Sequence, residues 1–348
     1  MKAIVFQGIR SVSLEQVADP EIEDSGDAVV KVLKTALCGS DLHPYLGREE
    51  GLEPGTVMGH EFAGVIVETG ADVTKFSPGD HVVCPFTTNC GSCYFCDIGL
   101  TARCQRGQLF GWREDGSGLH GTQADFVRVP LADSTLVSFD KVIPPELALL
   151  AGDNLATGMY CAERADVSSE GVYVVLGCGT VGLMTITACL ERGAENIFAF
   201  DAIPERLDRA TRLGVTAVNF ESEDPLDLIQ SATSGIGADA VMEAVGSSAA
   251  GKMAYDLVRP GGTISTVGVH TNDRIDFSPV QAYDKNITYR VGRCPARAFA
   301  RDALDLLAKD SSTFVSPVTH TISIADGVSA YDMFANRKDG CIKVILEP

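Results

Sequence analysis

The sequence has no basic cluster, and positive charge is scarce along its whole length. It contains 28 Lys and Arg residues against 47 Asp and Glu residues, which gives a formal net charge of −19. Such a surface repels phosphate backbones and anionic lipids. We therefore expect no nucleic-acid partner and no membrane partner. An ordinary solvated acidic surface and adaptation to salt both fit this charge balance.

A long apolar run is also missing. No segment approaches the roughly 20 apolar residues needed to span a bilayer, and residues 1–6 are typical of a first strand rather than a signal peptide. We therefore predict a cytoplasmic protein, in which thiols stay reduced. The 11 cysteines are an odd number, which no closed disulfide framework uses completely. The cysteines are thus interpreted as metal ligands or as small buried apolar residues.

The 348 residues, 45% of them hydrophobic, are enough for two domains with real cores. Short alternating apolar runs at 28–33, 64–68 and 81–84 are bounded by Gly- and Pro-containing turns. Such runs favour an antiparallel, mostly β domain in the first half. The second domain is expected to be of the α/β class.

The hydrophobic pattern of the sequence changes at about residue 171. A continuous apolar run, 172–176, leads through a glycine-rich turn into a helix ending near residue 192, and strand candidates follow at 196–200, 217–220, 240–244 and 263–268. Strands buried on both faces that alternate with helices predict a parallel sheet. In about 55 C-terminal residues the alternation of strand and helix patterns is absent. The chain ends in a strand-like segment, 341–346, which we expect to return to the first domain.

The glycine-rich turn has the G-x-G-x-x-G spacing between a strand and a helix, formed by Gly177, Gly179, Thr180, Val181 and Gly182. In this context the helix start faces a pyrophosphate, so the turn predicts a dinucleotide site. Asp201 ends the next strand, where its carboxylate can bind ribose hydroxyls and repel a 2′-phosphate. This favours NAD over NADP. Arg206, one turn into the following helix, is a second candidate for contact with the ribose.

Cys90, Cys93, Cys96 and Cys104 form the pattern C-x2-C-x2-C-x7-C. Four thiolates this close in sequence can complete a tetrahedral shell, which predicts a structural zinc and leaves no open position for chemistry. An iron–sulfur cluster uses related spacings and is the alternative.

A second candidate metal set is scattered along the chain. It comprises Cys38 with Ser40 and His43, His60 with Glu61, and Asp153 with Thr157. The segment from Gly59 to Gly64, continued by Gly70 and Val73, resembles the signature of zinc-containing alcohol dehydrogenases, which are medium-chain dehydrogenases/reductases. Cys38, Ser40 and His43 stand at that family's relative spacing, and the resemblance covers nearly the whole chain.

The resemblance implies a role for each of these residues. Cys38, His60 and Asp153 resemble the three ligands of a catalytic zinc, with Asp153 where many relatives have Cys, and Glu61 resembles the nearby carboxylate that can swing toward the metal. Ser40 and His43 resemble a proton relay, and Thr157 a residue behind the nicotinamide. Further positions that resemble cofactor contacts are Gly268 and Val269. Phe86 and Trp112 resemble residues that line an apolar substrate pocket.

The resemblance also implies a fold and a reaction. We expect a GroES-like catalytic domain at 1–153 and 291–348, whose zinc lobe covers about 90–104, and a Rossmann NAD domain at 154–290. Two zinc ions per chain and NAD would then support reversible hydride transfer from a zinc-bound alkoxide, which links a neutral primary or secondary alcohol to its aldehyde or ketone. Relatives predict a homo-oligomer, with a tetramer favoured over a dimer.

Three alternatives stay open on the same scaffold. A polyol or sugar dehydrogenase, similar to sorbitol or threonine dehydrogenase, usually has Glu as third ligand, which counts against it. A formaldehyde-processing relative has Asp there but a longer chain. A non-catalytic binding protein is the remote alternative, since every position needed for chemistry holds a competent residue.

Overall fold

The computed structural model describes residues 1–309 and 314–348 of the chain. It divides into two compact units. The first contains the described residues of Met1–Ala156, Pro295–Ser311 and Val318–Pro348, and the second those of Thr157–Cys294 and Ser312–Pro317.

The strands in chain order are β1 (Lys2–Gly8), β2 (Ser11–Gln16), β3 (Ala28–Leu37), β4 (Phe62–Thr69), β5 (His81–Val83), β6 (Trp112–Glu114), β7 (Ser117–Leu119), β8 (Phe126–Val129), β9 (Val137–Ser138), β10 (Val172–Leu176), β11 (Asn196–Asp201), β12 (Thr216–Asn219), β13 (Ala238–Glu243), β14 (Val258–Thr266), β15 (Thr288–Val291), β16 (His320–Ser323) and β17 (Val344–Glu347).

The helices are α1 (Leu42–Tyr45), α2 (Tyr94–Asp97), α3 (Ala132–Thr135), α4 (Pro145–Ala148), α5 (Asn154–Arg164), α6 (Thr180–Glu191), α7 (Pro204–Arg212), α8 (Pro225–Ala232), α9 (Ser248–Leu257), α10 (Pro279–Lys285), α11 (Ala296–Ala308) and α12 (Gly327–Ala335). Among the described residues, none of these helices has the length and apolar character to cross a membrane.

The first unit is built on a mostly antiparallel sheet in the order β16-β17-β3-β4-β5-β9, with β8 also paired to β3. Val344 of β17 lies opposite Leu37 of β3, so the C-terminal strand returns to this sheet as the sequence predicts. Apolar side chains such as Val30, Phe62 and Ile66 pack beneath it in one cluster. The antiparallel β character predicted for the first half is confirmed.

The second unit contains a six-stranded sheet in the order β12-β11-β10-β13-β14-β15, and every neighbouring pair is parallel. Its inner strands β10, β13 and β14 are largely buried, with Val174, Val241 and Ile264 at most 1% exposed, which explains their apolar sequences. Strand order reverses between β10 and β13, and such a switch point is where dinucleotides bind in open α/β sheets.

The C-terminal region differs from the prediction that the alternation of strands and helices ends there. Two full helices, α11 and α12, lie there beside β16 and β17. Helix α11 buries a face of mostly small residues, including Ala296, Ala300 and Ala303, and small side chains give a weak periodic signal in the sequence.

Candidate metal centres and cofactor site

Three chain segments bring the scattered metal set together in the first unit. Cys38 follows β3 directly and begins a 3₁₀ turn, Gly39–Asp41. His60 and Glu61 precede β4, and the register that pairs Thr35 with Phe62 places the end of β3 beside the start of β4. Asp153 lies between the 3₁₀ turn Leu149–Gly152 and α5. Strand pairing and one turn therefore create the cluster.

The ligand atoms of this cluster have the spacing of a zinc shell. Cys38 Sγ lies 3.6 Å from Asp153 Oδ2, and His60 Nε2 lies 3.4 Å from the same oxygen. Zinc bonds of about 2.3 Å to sulfur and about 2.0–2.2 Å to nitrogen and oxygen give tetrahedral edges of about 3.6 and 3.4 Å. The ligand atoms of these three residues and Glu61 all lie within 4.8 Å of one another. The donor set and its geometry thus fit Zn²⁺.

The electrostatics of the cluster also favour a bound cation. Burial raises the pKa of the Cys38 thiol, and the Asp153 and Glu61 carboxylates raise it further. Burial would lower the pKa of His60, but Asp41 and Asp153 raise it well above its usual range. The surrounding carboxylates therefore favour the protonated forms of the Cys38 thiol and the His60 imidazole. A dication would release those protons and balance the thiolate and the Asp153 carboxylate.

Asp41 orients His60 from the side opposite the metal set. Its Oδ1 lies 3.1 Å from His60 Nδ1, which leaves Nε2 for the metal, as is usual for a zinc-bound histidine. Asp41 Oδ2 accepts hydrogen bonds from the Cys38 backbone N–H and the Gln123 amide. Tyr331 in turn donates its hydroxyl to Gln123 at 2.9 Å. A buried polar chain thus fixes the ring of His60.

Glu61 is held by a buried ion pair. Lys343 Nζ lies 2.5 and 2.7 Å from the two carboxylate oxygens of Glu61, and Asn154 donates to the same carboxylate at 3.2 Å. Neither Lys343 nor Glu61 is exposed. A charged pair of this kind neutralises Glu61 locally, so that Cys38 and Asp153 remain the anionic ligands for the metal.

The relay and pocket candidates differ in how close they lie to this cluster. Ser40 Oγ lies 3.2 Å from His60 Nε2, and the Phe86 ring stands edge-on to the His60 ring at 6.4 Å. His43 is half-buried on α1, and its Nδ1 makes no hydrogen bond within the described part of the chain. Trp112 packs against the apolar cluster that contains Tyr45 and Tyr331.

The four-cysteine lobe has the dimensions of a closed zinc site. The Sγ–Sγ distances are 3.6 Å for Cys93–Cys96, 3.9 Å for Cys93–Cys104 and 4.0 Å for Cys90–Cys96, against edges of about 3.8 Å for a tetrahedral zinc with four sulfurs. A disulfide needs about 2.05 Å. Burial would raise the pKa of Cys90, but backbone and side-chain hydrogen bonds lower it to about 5, whereas burial raises the pKa of Cys96 to about 12. A bound metal ion would favour the thiolate at all four positions.

The glycine-rich turn lies at the end of β10, in the second unit. Gly177 has φ +87°, and a Cβ on Gly182 would lie 1.7 Å from the Gly177 carbonyl oxygen, so both positions require glycine for the turn itself. Gly179 is different, because a Cβ there would meet only the Arg206 guanidinium, at 3.7 Å or more. Thr180 and Val181 open α6. The N-terminus of this helix and the space above Gly179 suit an anionic phosphate.

Asp201 ends β11 close to this turn. Its carboxylate accepts backbone hydrogen bonds from Cys178 at 2.8 Å, Ala202 at 2.8 Å and Ile203 at 3.0 Å. Arg206 lies 3.5 Å from Oδ2, which is longer than a good hydrogen bond and leaves one acceptor direction for a ribose hydroxyl.

The other predicted cofactor contacts lie on separate elements of the second unit. Thr157 is buried on α5. Gly268 and Val269 follow β14, and the Val269 side chain is exposed.

Comparisons with known proteins agree with this geometry. Residues 24–139 match the family model described as the alcohol dehydrogenase GroES-like domain, and residues 180–309 match the one described as zinc-binding dehydrogenase. The chain is 41% identical to zinc-type alcohol dehydrogenase B of Aspergillus flavus over 97% of this chain and 79% of that protein. The chain belongs to the zinc-containing alcohol dehydrogenase family.

Two further comparisons extend over both chains. The zinc-type alcohol dehydrogenase-like protein AdhB of Bacillus subtilis is 34% identical over 100% of each chain. The structure of alcohol dehydrogenase TADH from Thermus sp. ATN1 has a TM-score of 0.93 at 35% identity and covers 100% of this chain and 99% of that one. The family and the pairing of GroES-like and Rossmann folds predicted from the sequence are thus confirmed.

Sequence reasoning about this alcohol dehydrogenase missed Asp41, Asn154, Gln123, Tyr331 and Lys343. Two of them carry a recognisable signal. Asp41 stands three residues after Cys38, where its side chain can turn back toward the cluster. Lys343 is a lone charge within the apolar segment 341–346, and a charge in a buried strand needs a partner. The remaining three act through contacts that only the tertiary structure provides.

Proposed function

We propose that this alcohol dehydrogenase uses NAD to interconvert a neutral primary or secondary alcohol with its aldehyde or ketone. The observation that carries the proposal is the three-ligand set of Cys38, His60 and Asp153, with distances of 3.4 and 3.6 Å about the shared Asp153 oxygen. Three protein ligands are typical of a catalytic zinc, whereas four close a structural site.

A zinc ion held by these ligands would lower the pKa of a hydroxyl group and so prepare an alcohol to give up hydride. The protein's own residues then handle the proton. We propose that Ser40, beside His60, accepts the proton of the substrate hydroxyl, and that His43 passes this proton on to solvent. Burial lowers the pKa of His43, and the nearby Arg48 lowers it further, so its imidazole is neutral near neutral pH and would hold a relayed proton only briefly before passing it on.

The substrate pocket is proposed to be apolar and uncharged. Phe86 is buried and borders the His60 ring, so it can contact a substrate carbon chain. We place Trp112 in the outer part of the same pocket. An apolar wall favours simple alcohols over polyols and hydroxy acids, whose additional polar groups would lose hydrogen bonds with water.

The choice of NAD rests on Asp201. A 2′-phosphate would bring negative charge toward a buried carboxylate that already has three backbone partners, whereas a ribose hydroxyl can donate to it. Arg206 is the feature that favours NADP. A relative from Clostridium beijerinckii, 30% identical, is named NADP-dependent isopropanol dehydrogenase, so the use of NADP also occurs among the relatives.

Replacement of Asp201 by Asn should move the preference toward NADP. The amide keeps one acceptor oxygen for the neighbouring backbone but removes the repulsive charge, and Arg206 becomes available to a 2′-phosphate. We expect the ratio of kcat/KM for NADP to that for NAD to rise at least about tenfold, the equivalent of about 1.4 kcal/mol. Asp208→Asn is the matched control, since Asp208 pairs with Arg212 on the exposed face of α7. An unchanged ratio in Asp201→Asn would remove Asp201 from the ribose site.

The function itself is tested with a panel of primary alcohols, secondary alcohols and polyols, each with NAD and with NADP, followed by the absorbance of the reduced nicotinamide. We expect the fastest turnover with NAD and a simple alcohol. Faster turnover of polyols would favour the sorbitol-dehydrogenase-like alternative. No turnover with any substrate in zinc-loaded protein would favour the non-catalytic alternative.

The proposal includes two zinc ions per chain, one in each of the two groups of candidate ligand residues. It also includes a cytoplasmic location and a homotetrameric assembly, for which the support is the resemblance to bacterial members of the family. Zinc analysis of purified protein tests the metal content, and its mass in solution tests the assembly.

A further inference from the structure

The end of β13 carries a buried carboxylate that the proposed reaction does not use. Glu243 is 0% exposed. Its Oε1 accepts hydrogen bonds from the backbone N–H groups of Val245 at 2.8 Å and Gly246 at 2.7 Å. Its Oε2 lies 3.0 Å from Nε2 of His270, whose side chain is 20% exposed.

These contacts join two loops at the carboxyl end of the parallel sheet. Glu243 begins the turn after β13, and His270 belongs to the loop after β14. The backbone N–H groups of Val267 and Gly268 donate to the Glu243 carbonyl at 3.0 and 3.1 Å. A Cβ on Gly268 would lie 2.2 Å from the Gly246 nitrogen, so the two loops are in close backbone contact.

The turn that follows Glu243 also borders the glycine-rich turn that begins at Gly177. A Cβ on Gly177 would lie 2.6 Å from a methyl group of Val245, and the Ala244 N–H donates to the Leu176 carbonyl at 3.1 Å. Strands β10 and β13 flank the point where strand order reverses, the expected position of a bound dinucleotide. The geometry of the Glu243 turn is therefore coupled to the cofactor site.

The charge on His270 depends on groups that surround it. The hydrogen bond to Glu243 raises the pKa of His270, burial opposes this, and the charges of Glu243 and Asp276 raise it further. Two other titratable side chains lie within reach of Glu243, and both are neutral near pH 7. Burial raises the pKa of the Cys161 thiol to about 12, and burial also raises the pKa of the Tyr289 phenol.

We propose that the His270–Glu243 pair is a pH-sensitive latch, in which protonated His270 fixes the loop after β14 against the turn after β13 and strengthens binding of the nicotinamide cofactor. This inference rests on the proposed function, because it needs a dinucleotide in the second unit. His270 is a positioning residue in this account, since it acts through the two loops and not on the reacting atoms.

The sign of the effect follows from proton linkage. The ion pair raises the proton affinity of His270 when the latch is closed, so its contribution is complete at low pH and is lost as pH rises through the titration of His270. A positive imidazolium also favours the anionic diphosphate of the cofactor. Cofactor affinity should therefore fall as pH increases, whatever alcohol the enzyme oxidises.

The test measures the Kd of NADH and of NADPH by fluorescence from about pH 6 to about pH 9, in zinc-loaded protein without substrate. Variants His270→Gln and His270→Asn keep an amide donor for Glu243 but cannot be protonated. His320→Gln is the control, since His320 lies on β16 in the first unit. We expect the wild-type and control Kd to rise about fivefold across this range, and the Kd of both His270 variants to stay near the wild-type value at high pH.

Two results would overturn the latch alone. One is a wild-type Kd that does not change with pH, and the other is a His270 variant that keeps the wild-type slope. Failure to bind either nicotinamide at any pH would overturn the proposed function together with the latch. Because the readout is binding and not turnover, a loss of catalysis alone does not produce any of these outcomes.

Discussion

Replacement of Cys38 by Ala should lower the zinc content from about two ions per chain to about one and nearly abolish alcohol oxidation. Cys38 supplies the only sulfur of the catalytic set in the described structure, and His60 and Asp153 alone cannot hold zinc in a three-ligand site. Loss of metal polarisation, worth several kcal/mol of transition-state stabilisation, corresponds to a rate loss of at least about a thousandfold. Elemental analysis and initial rates measure both effects.

Two controls separate this effect from a general loss of structure. Cys93→Ala should also remove one zinc ion, but from the four-cysteine lobe, so the zinc that remains is the catalytic one. Cys189→Ala should leave both zinc ions in place, since Cys189 is buried on α6 in the second unit. Two zinc ions in Cys38→Ala would contradict the assignment of the catalytic ligands.

Replacement of Lys343 by Met should reduce the free energy of unfolding of the first unit by about 3–5 kcal/mol. The side-chain exposures of Lys343 and Glu61 are 1% and 0%, so loss of the ammonium leaves a carboxylate without its counter-charge in a site closed to water. Methionine has a similar length and packs in the same space. The cost is therefore electrostatic, and urea unfolding of zinc-loaded protein measures it.

A second substitution identifies the cause. Glu61→Gln in the Lys343→Met background removes the stranded charge and should recover a large part of the loss, since an apolar or neutral replacement of both partners is often tolerated. Lys338→Met, which breaks the exposed pair with Asp332, should leave the unfolding midpoint unchanged. A double variant as unstable as Lys343→Met would show that packing, not charge, explains the effect.

The parts of this molecule that the sequence predicts are those with a local signal. The strand 172–176, the Gly177 turn and the following helix are adjacent in the chain, so their spacing in the sequence predicts a single strand–turn–helix unit. The four cysteines Cys90, Cys93, Cys96 and Cys104 lie within fifteen residues, so ligand spacing alone predicts a metal site there. The scattered ligand set of Cys38, His60 and Asp153 needed a family resemblance, because no spacing rule connects residues 115 positions apart.

The remaining features depend on contacts that no local pattern encodes. Lys343 and Glu61 are 282 positions apart, and they meet because β17 pairs with β3 and β3 with β4. Gln123 and Tyr331 are 208 positions apart. Nothing in the sequence distinguishes these two polar residues from exposed ones. Their importance is apparent only once their burial is known, since a buried polar side chain must have a partner.

The presence of Asp153 in place of a second sulfur has a consequence for damage by oxidants. In the described structure the catalytic cluster contains one thiol, Cys38, so an oxidised Cys38 finds no second sulfur among the ligands of its own cluster and can proceed toward irreversible sulfinic acid. The four-cysteine lobe has neighbouring sulfurs at 3.6–4.0 Å, and after metal loss these can pair reversibly. Peroxide should therefore inactivate the enzyme permanently at Cys38, whereas a thiol reductant should repair the lobe.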